Sequence, residues 1–374
     1  MRQTRNLVYG NVTWVRIPPS PPIPVNSRVS SHQTSMQPER KYLPTVTVIV
    51  CTRDRPALLK RCLEALSAQK YDRFDVLVVD NASTQPVRDL CEQAGVTWLW
   101  APVPGLTRAR NMGARQARSE IIAYIDDDAI VEEGWLQAMA SEFSDPAVGA
   151  VTGRVRYMKA IANSRSISDE EAPADRARPR AAFDRTTANW FCKACFGGIG
   201  DGGNMAFRRD LIAAEVPFDE RLGRGQLLDS GDEHVVFASL IARGHRIAHS
   251  PQAIVRHPAP ATPSLLKARR LLDMRSSIAY LMFLWREFPT HRSEILGFLR
   301  RAVFRRTRML RVRLSDPAGL SLREAMRAAL GGILLYRKAR RDLAANLVRV
   351  RSHGAEDRTS FDQARVGAGH LDML

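Results

Sequence analysis

Three adjacent carboxylates, Asp126-Asp127-Asp128, end the apolar run Ile121-Ile122-Ala123-Tyr124-Ile125. Like charges side by side repel one another, so core packing gives no reason for them. At the carboxyl end of a parallel strand they suit a hard divalent cation and the phosphates it carries. Two other apolar runs end in polar groups of the same kind. Val46-Thr47-Val48-Ile49-Val50-Cys51 leads into Thr52, and Asp75-Val76-Leu77-Val78-Val79 leads into Asp80. Three strand ends thus converge on one rim, where open parallel sheets bind ligands.

The segments between these strands must return the chain to the same edge of the sheet. Pro56 is placed as a first helical residue, and Leu58, Leu59, Cys62, Leu63 and Leu66 follow at helical spacing. A second helix runs to Ala94, a strand covers 96–100, and a helix from about Leu106 to Ala117 feeds the acid-tipped strand. Alternating strands and helices give βαβ units and a mostly parallel sheet. Residues 162–188 are polar and charged and read as a mobile loop. The glycine-dense stretch 197–203 permits close backbone approach to a ligand. Gly231-Asp232-Glu233-His234 opens a helix that stops at Arg243-Gly244, and short strands at 246–249 and 253–256 finish at His257-Pro258.

At 374 residues the chain can bury a large core, and 45% hydrophobic with 25% charged residues reads as globular. The net charge of +17 is concentrated: 264–351 holds 21 Lys/Arg against 6 Asp/Glu. Such a basic segment suits anionic lipid, nucleic acid or an acidic partner. Arginines here alternate with leucines rather than with the aromatics a base-stacking platform needs, so a basic helical hold on a membrane face is preferred to nucleic acid. No apolar run approaches the ~20 residues that span a bilayer. The five cysteines, Cys51, Cys62, Cys91, Cys192 and Cys195, read as reduced thiols of a cytosolic chain. A lone CxxC at Cys192 and Cys195 reads as packing rather than a metal site. The proline-rich 17–24 can join neither sheet nor helix, and Met36 stands as an alternative initiator.

Seven segments now stand in order: 48–55 (VIVCTRDR), 78–83 (VVDNAS), 105–113 (GLTRARNMG), 124–128 (YIDDD), 203–208 (GNMAFR), 231–233 (GDE) and 251–257 (PQAIVRH). Together they resemble a family 2 glycosyltransferase of the GT-A fold, over about Val46 to His257. The resemblance implies an α/β fold of the nucleotide-diphospho-sugar transferase type, with a mostly parallel central sheet flanked by helices. The expected organisation is a disordered 1–43, a GT-A domain at 44–262, a basic helical extension at 263–351 and a disordered 352–374. Thr52, Arg53 and Asp80 would line the nucleotide pocket, and Arg110 and Asn111 would contact the donor or hold the loop beside it. Asp126 and Asp128 are the outer members of a D-x-D motif. Asp128 would bind Mg²⁺ or Mn²⁺, Asp126 would face the ribose or share the metal, and His257 would add a metal or diphosphate contact. Gly203 and Asn204 would meet the acceptor.

A cation bridging two phosphates stabilises a departing nucleoside diphosphate, and the acceptor hydroxyl needs a base on the opposite face of the sugar. The resemblance puts that base in the acidic pair, at Glu233 with Asp232 as the fallback, and implies inversion at the anomeric carbon. Plainer roles stay open: a cap for Asp80, a first-turn carboxylate for Glu233, a strand-end imidazole for His257. The implied partners are a nucleotide-sugar donor, a glycan or lipid-linked acceptor and an anionic inner membrane surface. A nucleotidyltransferase would want glycines in the loop after the first strand, where Thr52-Arg53-Asp54-Arg55-Pro56 has none. A basic nucleic-acid-binding or scaffold protein is the remaining alternative.

Overall fold

A computed structural model describes residues 43–160, 167–171, 178–226, 228–258, 263–301, 320–321 and 323–341, together with the short paired strands β1 (Val8–Tyr9) and β2 (Val12–Thr13). Apart from that hairpin, the expected unstructured segments at both ends lie outside the described residues, as do 302–319 within the basic extension.

Strand β3 (Val46–Thr52) is the centre of the first half. Its residues are nearly all buried, as a β-branched strand covered on both faces requires. It pairs in parallel with β4 (Phe74–Asn81) on one side and with β6 (Ile121–Asp126) on the other, and β5 (Thr97–Ala101) continues in parallel beyond β4. The crossovers are α1 (Pro56–Ser67), with its proline at the first turn, α2 (Arg88–Gln93) and α3 (Leu106–Gln116). Because all four strands point the same way, Thr52, Asp80 and Asp126 end at one edge.

The second half makes the sheet mixed. After the two-residue β7 (Ile130–Val131) and α4 (Trp135–Ser141), the long β8 (Val148–Ala160) pairs antiparallel with β9 (Ile167–Glu171), inside the segment expected to be a loop. Strand β10 (Ala181–Phe183) and helix α5 (Trp190–Cys195) follow. Strand β11 (Asn204–Arg208) then enters antiparallel between β6 and β8, with Asn204 opposite Ile125. Helix α6 (Asp232–Ala242) leads to β12 (Arg246–Pro258). The two short strands expected at 246–249 and 253–256 are one strand, parallel to β8 and bulged between Ser250 and Ile254. The order across the sheet is β10-β12-β8-β11-β6-β3-β4-β5.

Alternation along β3 divides two apolar layers. Val46, Val48 and Val50 pack with α1 and α4, including Leu59, Leu63 and Trp135. Ile49 faces the other way, with Tyr124, Phe207 and Phe237. This second layer also holds Ala279, Tyr280, Phe283 and Leu284 of α7 (Pro263–Glu287), Ile295 of α8 (292–301) and Tyr336 of α9 (323–341). The basic extension therefore shares the core of the sheet it follows.

Candidate active site

The three carboxylates do different things. Asp127 is nearly buried; Thr52 Oγ1 donates to its Oδ2 at 2.7 Å, and Arg55 lies 3.2 Å from its Oδ1. Burial pushes its pKa up to about 6, against the Thr52 bond and the Arg55 charge. Its neighbours face the cleft. Asp126, Asp128 and His257 can each offer a ligand atom, and these atoms lie within 4.8 Å of one another. His257 arrives because β12 pairs with β7 directly after the acids, Arg256 opposite Ile130. Its Nδ1 lies 3.0 Å from the Pro258 carbonyl, which accepts the Nδ1 proton and aims Nε2 at Asp128 Oδ1, 3.1 Å away, with Asp126 Oδ2 at 3.9 Å. Burial opposes a charged imidazole, yet the bond to Asp128 and the two carboxylate charges raise the His257 pKa to about 9. Burial would likewise raise Asp128, but His257 and Arg55 outweigh it and hold that carboxyl below the usual range. Two carboxylates and an imidazole form a donor set that fits Mg²⁺ or Mn²⁺.

The opposite wall begins at Gly231, the residue before α6. Its φ of +89° is a left-handed conformation, and a Cβ there would lie 2.3 Å from the Tyr280 ring of α7. Asp232 and Glu233 form the first turn, where the helix dipole favours anions. Asp232 Oδ2 accepts from Arg110 Nη1 at 2.7 Å, an ion pair with both side chains about 5% exposed. Arg110 Nη2 also donates to the Gly202 carbonyl at 2.8 Å and lies 3.7 Å from Asp126. One arginine thus ties both walls together. Glu233 is held less closely, with His234 Nε2 3.8 Å from its Oε1. Burial, the Asp232 charge and a hydrogen bond with Asp232 push its pKa well above the ordinary carboxylate range, with Arg110 offsetting only part of this.

Gly202 and Gly203 lie between the walls. A Cβ on Gly203 would sit 2.5 Å from Asp126 Oδ2, and one on Gly202 3.1 Å from the Glu233 carboxyl carbon. The walls enclose a cleft of about 970 Å³, lined among others by Arg53, Asn81, Asp126, Glu233, His257 and Arg269.

Several expected contacts lie elsewhere. Asp80 is fully buried, its oxygens accept the backbone N–H groups of Ser83 and Val87, and it does not line the cleft. These bonds cap a turn, the plainer role left open for Asp80. Asn204, expected at the acceptor, is also fully buried; its amide donates to Arg154 and Ala253 carbonyls and accepts from Trp135 Nε1. It rivets β11 to β8, β12 and α4. Asn111 grips the backbone N–H and carbonyl of Phe218, which is the loop-holding alternative. Thr52 and Arg53 do line the cleft, although the Thr52 hydroxyl is committed to Asp127.

Some lining residues gave no distinct sequence signal. Arg269 and Asp273 come from α7, beyond the last motif, and Arg224 bridges from the preceding loop to Asp273 at 3.7 Å. Asp201 accepts from Tyr157 Oη at 3.0 Å and from the Gly203 N–H at 3.2 Å. Its place in the glycine-dense stretch is the one feature that could have drawn attention to it.

Residues 47–214 match the family described as Glycosyl transferase family 2. The chain is similar to Glycosyltransferase AglE of Haloferax volcanii, 24% identical over 233 residues that cover 60% of this chain and 70% of AglE. It is 25% identical to the pre-mycofactocin glycosyltransferase of Mycobacterium tuberculosis over 227 residues, 57% of this chain and 42% of that one. Among solved structures, the mannosyltransferase PcManGT from Pyrobaculum calidifontis, in complex with GDP-Man and Mn²⁺, has the same fold, with a TM-score of 0.51, 21% identity and coverage of 83% and 82% of the two chains. S. aureus TarS 1-349 in complex with UDP-GlcNAc gives 0.50, 17% identity, and 79% and 81% coverage.

Proposed function

Residues 47–214 are a family 2 glycosyltransferase domain, and from that premise we propose that this enzyme moves a sugar from a nucleoside-diphosphate donor to an acceptor hydroxyl with inversion. Asp126, Asp128 and His257 would hold Mg²⁺ or Mn²⁺. When bound, the cation supplies Lewis-acid stabilisation of the diphosphate leaving group. Thr52 and Arg55 keep Asp127 back, so the outer pair is presented without the middle charge. Arg53 at the rim adds a cation on the side where donor phosphates approach. Glu233 takes the proton of the acceptor hydroxyl, and Asp232 is the anion that, with Arg110, fixes its place.

The observation that carries this reading is the facing of two groups across the Gly202-Gly203 strip: a three-ligand cluster on one side and one carboxylate of raised proton affinity on the other. A single base opposite the leaving group corresponds to direct displacement and therefore inversion. The acceptor we propose is a glycan or a lipid-linked acceptor.

The test uses thermal shift with Mn²⁺ and a panel of UDP-, GDP- and dTDP-sugars to find the donor, then turnover of that donor. Asp128→Ala should abolish metal-dependent turnover. Glu233→Gln should lower transfer by roughly 10²–10⁴-fold while leaving donor binding intact. Full activity in both variants would refute the assignment.

A further inference from the structure

Sequence patterning spreads the basic, leucine-rich character evenly over 263–351, but the structure divides it. Helix α7 buries Ala279, Tyr280, Phe283 and Leu284 in the core, with Leu265, Leu272 and Trp285 left partly exposed. Helix α9 buries Tyr336 and Ala339, while Met326, Leu330 and Leu334 are 58%, 59% and 63% exposed. Spaced by four, they form a stripe on one face. The exposed Arg323, Arg327, Arg337, Lys338 and Arg341 lie within or beside that stripe. At 3.6 residues per turn all eight fall within an arc of about 120°. Among the described residues this face has no carboxylate. Glu324 lies at the flank of this arc and pairs with Lys267 of α7 at 2.9 Å.

The position of α9 connects this face with the cleft. Lys267 meets Glu324, and further along Gly332 packs against Ile278, so α7 and α9 run side by side in the same direction. Their first turns therefore lie together. Arg269 and Asp273 of α7 line the cleft from that end, and Leu272, 40% exposed, lies between them in sequence.

We infer that the exposed face of α9 docks on an anionic bilayer and holds the cleft mouth near the membrane surface. An apolar stripe that enters the headgroup boundary, set among cations and free of acids, is complementary to anionic lipid. Such placement would bring the acceptor hydroxyl from an amphiphile in that surface. This last link rests on the sugar-transfer reading; lipid docking does not.

The test sediments the full chain with vesicles of mixed phosphatidylglycerol and phosphatidylcholine, and of phosphatidylcholine alone, at low and high salt. Binding to the anionic vesicles should be at least ~10-fold tighter than to neutral ones and should weaken with salt. The variant M326E/L330E/L334E should lose ~10-fold or more in that affinity with an unchanged melting temperature, because the altered side chains are exposed. Donor turnover in solution should persist in it, so failure of docking and failure of the sugar-transfer reading are told apart. Equal binding to both vesicle types, or wild-type lipid affinity in the variant, would overturn the proposal. So would a variant whose only change is loss of self-association, which assigns the face to a second copy, or tight salt-sensitive DNA binding without lipid preference.

Discussion

Asp232 and Glu233 are neighbours in sequence but differ in surroundings. Asp232 is held by Arg110 at 2.7 Å, whereas Glu233 meets the cleft with its proton affinity raised by burial and by Asp232 itself. A base must be deprotonated, so turnover should fall as pH drops through the raised Glu233 pKa. The acidic limb of kcat then lies above the usual carboxylate range. Linkage gives an independent check. A carboxyl with a higher pKa folded than unfolded binds more protons in the folded state, so its contribution to stability falls as pH rises from the unfolded value through the folded one. Glu233→Gln removes that loss. Metal-free thermal melts should show the variant gaining on the wild type as pH rises, with little difference under acid conditions. Asn204 has the opposite character. Asn204→Ala would leave Trp135 Nε1 and two carbonyls without their buried partner, at a cost of about 2–3 kcal/mol. Denaturant unfolding should register the loss, and the donor KM should change far less than the midpoint.

The strands that carry the acids were legible because burial on both faces selects uninterrupted β-branched runs, as in Val46–Thr52 and Ile121–Asp126. The proline start of α1 and the glycine before α6 were legible for the same reason: few residues satisfy those backbone positions. What the order of residues did not reveal was the direction of partners. Asp80 at a strand end looks equally suited to a nucleotide or to its own turn, and only the folded loop shows that Ser83 and Val87 take both oxygens. Asn204 follows two glycines on the cleft side, yet its register opposite Ile125 turns its amide into the sheet. That register makes Gly203 a direct test of the β11–β6 contact. In Gly203→Ala the new methyl competes with Asp126 for space 2.5 Å from Oδ2. Mn²⁺ affinity, followed by calorimetry, should fall roughly 10–100-fold, as when a residue supporting a metal ligand is lost. The fold should persist, since Gly203 has no left-handed φ to be strained.

At the scale of the molecule, motifs that end at His257 suggest a domain that could be cut from its basic extension. The packing argues otherwise. Tyr280, Phe283 and Leu284 of α7 are at most 5% exposed and belong to the same apolar layer as Tyr124, Phe207 and Phe237 of the sheet and α6. Burying three side chains of this size contributes roughly 5–8 kcal/mol, comparable to the net stability of a whole domain. Tyr280 also fills the space over Gly231, where the helix bearing Asp232 and Glu233 begins, and Arg269 and Asp273 complete the cleft. The extension therefore holds both the core and the acid pair. A chain ending at residue 262 should lose its cooperative thermal transition and expose apolar surface to a dye such as ANS. A chain ending at residue 301 keeps α7 and α8 but loses α9, with Tyr336 and Ala339, the Lys267–Glu324 pair and the packing of Gly332 on Ile278. It should melt cooperatively at a lower temperature and retain donor turnover. If the 262-residue chain melted like the full protein, the shared core would be refuted, and the extension would be an appendage whose sole task lies outside the catalytic cleft.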